Sequence, residues 1–216
     1  FRVTTECDGR VEPWETRELV VAAEAAEAAG WLRLMDGEAA AVFDSFPYNR
    51  LVSVSLGIET KDARLPEGFG FLAPRGEALR MLGAILLSNF FPDRAPEGCA
   101  AMSIFIGGDL DPSAFELDDD EIFGVVRRDL RLAVGWRGEP RSLHIERWPR
   151  AIPQYDMRHG DRMRQIEAAE ARWPGLSLAG NWRGGVSVPD RVQATLNLSR
   201  ALAERPAKSP TNAWKE

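Results

Sequence analysis

Residues 178–190 read Leu-Ala-Gly-Asn-Trp-Arg-Gly-Gly-Val-Ser-Val-Pro-Asp, and no other stretch is as informative about this chain. A short apolar strand runs into a Gly-Asn turn and a Gly-Gly pair, and a polar-capped amphipathic helix follows at once. Glycine has no Cβ, so the backbone here can closely approach an anionic or flat aromatic ligand. The order strand, glycine turn, helix therefore predicts a ligand-binding corner, although many such turns serve only the fold.

The remaining pattern predicts an α+β protein with a mixed, largely antiparallel sheet flanked by helices. A hairpin is expected around Asp8-Gly9, and period-two alternation or apolar runs indicate the other strands. Asp118 followed by Glu121 predicts a helix start, and Gly135 a helix end. The expected strands are 1–5, 10–12, 18–22, 52–58, 79–88, 100–106, 143–147 (ended by Trp148-Pro149) and 176–179, and the expected helices are 24–34, 118–134, 161–173 and a closing helix up to Pro206.

Composition excludes several functions. The 216 residues carry a net charge of −6, which gives no electrostatic reason to expect nucleic acid as a partner. No apolar run approaches the roughly 20 residues that a membrane-spanning helix needs, and no secretory signal is present. Cys7 and Cys99 are expected to be free thiols in a reducing compartment, so we predict a cytoplasmic protein, peripheral at most on the inner face of a membrane. Because the chain opens on a strand without Met, it reads as a fragment.

Individual motifs suggest no catalytic residues and no metal site. Residues 68–73 match a dinucleotide fingerprint in form, but they lack the strand before and the helix after that the fingerprint requires. His144 and His159 have no other ligand-type residue at metal spacing, and the acidic run 118–121 is expected to be a helix first turn. In residues 148–155, Trp148 and Tyr155 flank two prolines. That arrangement suits either a fixed aromatic edge against a planar ligand or a strand end with core-capping aromatics.

Four stretches together carry a family resemblance: 68–74, 82–98, 147–155 and 180–186. In this order and spacing the chain resembles the C-terminal portion of the oxygen-dependent protoporphyrinogen and coproporphyrinogen oxidases, of the flavin amine oxidase superfamily. The likeness runs from Glu18 to about Glu204. It implies FAD-dependent oxidation of a porphyrinogen to a porphyrin in heme biosynthesis, with oxygen reoxidising the flavin. A flavin that accepts the hydride itself needs no protein nucleophile, which agrees with the motifs.

The resemblance also implies site residues and domains. Cofactor contacts carry over to Trp148, Gly180, Asn181, Gly185, Val186 and Ser187, and substrate contacts to Phe69, Leu72, Ile85 and Phe105. The implied arrangement is residues 1–40 as remnants of an α/β FAD-binding domain, 41–174 as the substrate domain, 175–205 as the return to the FAD-binding domain, and 206–216 as a tail. The first FAD-binding portion is absent from this sequence, so we expect a missing N-terminal partner portion and an exposed apolar wall that favours a homodimer or aggregation.

This sequence departs from the family pattern at three positions. Ser187 replaces the usual glycine, Arg191 stands where cysteine is frequent, and Arg158 precedes His159 where glycine is common. Two other functions therefore stay open: a related flavin oxidoreductase such as an amine oxidase or carotenoid desaturase, and a truncated non-catalytic binding module.

Overall fold

The computed structural model describes residues 1–205, and these divide into two units. The first unit contains Phe1–Pro47 and the chain from Pro153 onward, and the second contains Tyr48–Ile152. Residues 153–174, which the sequence places with the substrate domain, thus lie in the unit formed by the two ends of the chain. The expected tail, 206–216, lies outside the described residues.

The first unit combines a hairpin, a two-stranded parallel sheet and four helices. Asp8 and Gly9 both have positive φ (51° and 73°), which confirms the predicted hairpin turn. Strand β3 (Leu19–Ala22) pairs in parallel with β9 (Leu176–Ala179), which joins an early segment of the chain to a late one. The elements are β1 (Arg2–Cys7), β2 (Arg10–Glu15), β3 (Leu19–Ala22), α1 (Ala25–Leu32), α2 (Gly37–Asp44), α5 (His159–Arg172), β9 (Leu176–Ala179) and α6 (Val188–Ala203).

Helix α2 was not predicted. Its N-cap is Asp36, whose carboxylate accepts from the N–H of Ala39 at 2.9 Å. The helix buries Ala39, Ala40, Val42 and Phe43. At eight residues it is too short to show a clear repeat, and tertiary burial provides most of its stability.

The second unit is built on a five-stranded antiparallel sheet, whose strands lie side by side in the order β5 (Gly70–Leu72), β6 (Met81–Leu86), β7 (Cys99–Gly107), β4 (Tyr48–Glu59) and β8 (Ser142–Pro153). It also contains the helices α3 (Leu87–Phe90) and α4 (Asp119–Val134). One face of the sheet packs on α4 to form the core, in which Val54, Ile104 and Leu130 are fully buried. The predicted antiparallel pairing of the runs at 79–88 and 100–106 is confirmed.

Two predicted strand ends were wrong. The run 79–88 is a strand only from Met81 to Leu86, after which α3 begins. The strand β8 does not stop at Trp148-Pro149 but continues to Pro153. Because β8 is the edge of the sheet, a proline there removes no hydrogen bond that the sheet needs.

Helix α4 holds the sheet through a buried carboxylate. Its predicted capping box is confirmed, with Asp118 accepting from Glu121 N–H at 2.8 Å, and Gly135 ends the helix in the left-handed conformation. Asp129 on this helix is fully buried. It accepts from the backbone N–H groups of Arg80 (2.7 Å) and Met81 (2.8 Å), which precede and open β6.

We expect Asp129→Ala to lower the free energy of unfolding by about 3 kcal/mol, since two N–H groups lose their buried acceptor. The exposed Asp93 provides the control, because Asp93→Ala should stay within about 0.5 kcal/mol of the wild type. Urea denaturation followed by circular dichroism measures both. Equal effects of the two substitutions would contradict the role assigned to Asp129.

Candidate functional site

The turn between β9 and α6, residues 180–187, lies at the carboxyl end of the parallel pair β3–β9. Ligands of α/β sheets bind outside the carboxyl ends of parallel strands. Gly184 and Gly185 have φ values of 71° and 107°, which side chains with a Cβ rarely adopt. The predicted order of strand, glycine turn and helix is confirmed.

Gly180 is required by the protein itself. A Cβ at this position would lie 2.1 Å from Nε1 of Trp182 and 2.7 Å from the carbonyl oxygen of Ala23. The Trp182 indole is fully buried, donates to that carbonyl at 3.0 Å and meets the Phe43 ring edge-on at 4.8 Å. The turn is thus folded over an indole that fills the space beneath it.

The Tyr155 hydroxyl connects the two arms of the turn. It donates to the carbonyl oxygen of Asn181 at 2.9 Å and accepts from the N–H of Gly185 at 2.9 Å. Tyr155 lies directly after β8 in the chain, 26 residues before Asn181. No local sequence signal indicated this bridge, so Tyr155 is a site residue that the sequence analysis did not assign.

Ser187 caps α6. Its hydroxyl accepts from the N–H of Asp190 at 3.2 Å, and its own N–H and hydroxyl donate to the Asp190 carboxylate at 3.3 and 2.6 Å. The hydrogen bonds from Ser187, first from its hydroxyl and then from its N–H, hold the pKa of Asp190 below its usual range. Ser187, at a position where the family resemblance implies glycine, therefore caps the helix.

Between Arg183 and Ser187 the N–H groups of the turn alternate between those that have an acceptor within the protein and those that have none. The N–H of Gly185 is bonded to Tyr155 and that of Ser187 to Asp190, whereas within residues 1–205 the N–H groups of Gly184 and Val186 have no acceptor. Backbone donors of this kind at a glycine turn suit the oxygen atoms of a flavin ring or a pyrophosphate. Among the predicted cofactor residues Gly185, Val186 and Ser187, only Val186 has an N–H without an acceptor within residues 1–205, an observation that fits a flavin nucleotide at the turn.

Buried polar atoms without partners concentrate at the same turn. The Oδ1 atom of Asn181 and the Nε and Nη2 atoms of Arg191 are buried and have no hydrogen-bond partner within the described part of the chain. Arg191 also donates from Nη1 to the carbonyl oxygen of Gly180. Because buried polar groups in folded proteins are nearly always paired, these atoms favour a further polar group beside the turn.

A cavity of about 2050 Å³ adjoins the turn within the first unit. Gly180, Asn181, Gly184 and Arg191 contribute to its wall, as does Ala23 at the end of β3. Typical small-molecule pockets measure about 300–1,000 Å³, so the cavity is larger than most of them. Of the predicted cofactor residues, Gly180 and Asn181 line it.

His159 packs behind Tyr155. The two rings stack at 3.8 Å with an interplanar angle of 12°, and the Nδ1 atom of His159 is buried without a partner among residues 1–205. Burial lowers the pKa of His159, the nearby Arg162 cation lowers it further, and Asp156 opposes the shift. The imidazole is therefore kept neutral below the pH at which an exposed histidine would charge.

In the second unit, the face of the sheet opposite α4 carries three of the four predicted substrate residues. Ile85 on β6 faces Ser103 across the sheet, Phe105 on β7 faces Ser53, and Leu72 on β5 faces Gly83. Residues on this face alternate with the buried core residues of the same strands.

Trp148 shares this face. Its indole N–H donates to the Ser53 hydroxyl at 3.0 Å, and about half of the side chain is exposed. The fourth predicted substrate residue, Phe69, precedes the edge strand β5, and its ring contacts Phe90 at 4.8 Å. The structure thus brings Leu72, Ile85, Phe105 and Trp148 onto one face of the sheet, together with Ser53 and Ser103.

Residues 1–205 contain no group of three or more His, Cys, Asp or Glu side chains that could hold a metal ion. No helix in the same range is long and apolar enough to span a bilayer.

Comparison with known proteins decides the family. Residues 1–202 match the family described as flavin containing amine oxidoreductase. The chain belongs to this family. It is 31% identical to protoporphyrinogen oxidase 1 of Spinacia oleracea over 199 residues, covering 87% of the chain and 35% of that relative. It is 29% identical to coproporphyrinogen III oxidase of Bacillus subtilis over 155 residues, covering 70% of the chain and 33% of the relative.

Solved structures agree on the fold. A provisionally assigned protoporphyrinogen oxidase from Exiguobacterium sp. 255-15 superposes with a TM-score of 0.73 at 20% identity, over 92% of this chain and 45% of that one. A reduced UDP-galactopyranose mutase gives 0.66 at 13% identity, over 90% and 43%. The predicted fold class is confirmed by these neighbours. The chain spans about a third of the length of the curated relatives it matches.

We expect Gly180→Ala to destabilise the first unit by about 1–3 kcal/mol, because the new methyl group would press against the Trp182 indole and a carbonyl oxygen. Gly30→Ala is the matched control, since Gly30 lies in α1 and a methyl group there would meet no atom within 4 Å. That substitution should stabilise the helix by about 0.5–1 kcal/mol. Thermal unfolding of both variants measures the difference, and a Gly180→Ala protein as stable as the wild type would refute the packing argument.

A pH effect on stability follows from His159. The pKa of His159 in the folded state lies below its ordinary value of 6.5. As the pH falls below about 6.5, the unfolded state therefore binds more protons than the folded state, and the free energy of unfolding decreases. Between about pH 7.5 and about pH 5.5, the free energy of unfolding of His159→Gln should therefore fall less than that of the wild type.

The exposed His144 supplies the control, because His144→Gln changes the same residue type away from Asp156 and Arg162, the charged groups that act on His159. Denaturant titrations at the two pH values measure the pH dependence for all three proteins. Identical losses of stability in the wild type and His159→Gln would show that His159 does not contribute.

Proposed function

We propose that this chain is the C-terminal part of an FAD-dependent oxidase that converts a porphyrinogen to a porphyrin with oxygen as the electron acceptor. The observation that carries the proposal is the 31% identity to a protoporphyrinogen oxidase over 87% of the chain. The N–H groups of Gly184 and Val186 and the apolar sheet face support it from the geometry.

The cofactor portion of the proposal assigns FAD to the turn after β9. FAD bound there would supply the redox chemistry, namely acceptance of a hydride from the substrate and transfer of the electrons to oxygen. The residues proposed to hold it are Trp148, Gly180, Asn181, Gly185, Val186 and Ser187. Of these, Val186 donates through its N–H, while Asn181, Gly185 and Ser187 act mainly by fixing the turn through Tyr155 and Asp190.

The substrate portion assigns the tetrapyrrole to Phe69, Leu72, Ile85 and Phe105. A porphyrinogen is a large apolar macrocycle, and a sheet face of leucine, isoleucine and phenylalanine with serines between them excludes water from it. Trp148, oriented by its bond to Ser53, supplies a rigid aromatic edge to this surface. These residues bind and orient the substrate, and no side chain needs to act as a nucleophile.

The remaining partners and the location follow from the same proposal. An N-terminal FAD-binding portion would complete the site, since the curated relatives are about three times as long as the matched region. Alternatively, the apolar surfaces are buried in a homodimer interface. We also propose a cytoplasmic location with at most peripheral attachment at the inner face of a membrane.

The full-length protein, purified with excess FAD, tests the proposal. We expect the absorption spectrum of bound flavin and, on addition of protoporphyrinogen or coproporphyrinogen in air, the appearance of porphyrin fluorescence faster than in an enzyme-free control. The preferred porphyrinogen then identifies the substrate. The 216-residue chain alone should bind FAD only weakly.

Two outcomes would replace the proposal. Bound flavin with turnover of amines or polyenes and none of porphyrinogens would make the protein a related oxidoreductase. The absence of both a flavin spectrum and porphyrin formation would make it a non-catalytic module.

A further inference from the structure

Contacts outside the 180–187 turn hold the Tyr155 side chain in place. Its ring stacks on His159, and the neighbouring backbone is anchored because Gln154 N–H donates to the carbonyl of Pro47 at 2.8 Å. On the other side, the Asp156 carboxylate accepts from the nearly buried guanidinium of Arg162 at 2.5 Å. The hydroxyl position is therefore set by packing that the turn does not contribute.

That hydroxyl bonds to the one part of the turn with the greatest backbone freedom. Gly184 and Gly185 lack side chains, and unaided they can adopt many conformations. The bond from Gly185 N–H to Tyr155 fixes the 184–185 peptide and the bond from Ser187 N–H to Asp190 fixes the 186–187 peptide, so both neighbours of the peptide that carries the Val186 N–H are held. The direction of the free Val186 N–H follows from these two bonds.

We propose that Tyr155 is a positioning residue for the cofactor: its hydroxyl locks the 180–187 turn so that the Val186 N–H is preorganised toward the bound flavin. The inference rests on the proposed function, since it assumes that a flavin lies at this turn. Tyr155 acts through the backbone of Asn181 and Gly185. Donors fixed in advance lose no ordering energy when charge develops on their acceptor.

Two consequences follow for the flavin. Loss of the hydroxyl removes two hydrogen bonds that order the turn, so the FAD dissociation constant should rise about tenfold. A donor aimed at the flavin stabilises its electron-rich reduced form more than its oxidised form, so a loosened donor should also lower the midpoint potential.

The test compares full-length Tyr155→Phe with the wild type. Phenylalanine keeps the stack on His159 and removes only the hydroxyl. Tyr48→Phe is the matched control, because Tyr48 is the other tyrosine of the two in this chain and lies in the second unit. FAD affinity by flavin fluorescence, midpoint potential by spectroelectrochemistry and melting temperature are measured for all three.

We expect weaker FAD binding and a lower potential for Tyr155→Phe alone. A Tyr155→Phe protein with a lower melting temperature but wild-type affinity and potential would overturn the inference and leave the proposed function intact. A wild-type protein without flavin would overturn both.

A second measurement covers the case in which Tyr155→Phe does not fold. Residue-resolved amide hydrogen exchange of the wild type should show a slow Gly185 N–H, because the phenol oxygen accepts from it. Exchange of Gly185 at the rate of an unstructured peptide would overturn the inference.

Discussion

The hydrogen bond from the Trp182 indole to the carbonyl of Ala23 joins the two segments that follow the parallel strands β3 and β9. The bond connects the segment between β3 and α1 with the turn between β9 and α6. The indole occupies the space that a Cβ on Gly180 would need, and it seals the turn from below with Phe43. The turn is therefore closed to a ligand on the side of the indole.

The proposed function relies on backbone geometry and on an apolar surface rather than on reactive side chains. In the first unit, the N–H groups between Arg183 and Ser187 are alternately bonded within the protein and unbonded, and the bonded ones restrict the peptide groups between them. In the second unit, Leu72, Ile85, Phe105 and Trp148 share one face of the sheet with Ser53 and Ser103. A redox cofactor that carries its own chemistry needs from the protein only binding, orientation and exclusion of water.

The sequence predicts the parts of the fold that local signals define. Asp8-Gly9 marks a hairpin and Asp118 with Glu121 marks a helix start, since each acts through neighbours in the chain. Features that depend on tertiary contacts cannot be predicted from local sequence. Helix α2 is stabilised by burial, and β8 continues through Pro149 because it is an edge strand. The glycines of the turn were recognised. The reason for Gly180 and the hydroxyl bridge of Tyr155 depend on contacts with segments distant in the chain.

The most direct measurement is amide hydrogen exchange across residues 180–187 of the full-length protein, with and without FAD. The amides of Gly184 and Val186 should exchange fast in the absence of FAD and become strongly protected when it binds. Gly185 and Ser187 should be slow in both states. Unchanged exchange at Gly184 and Val186 in a protein that demonstrably holds FAD would contradict the assignment of this turn to the cofactor.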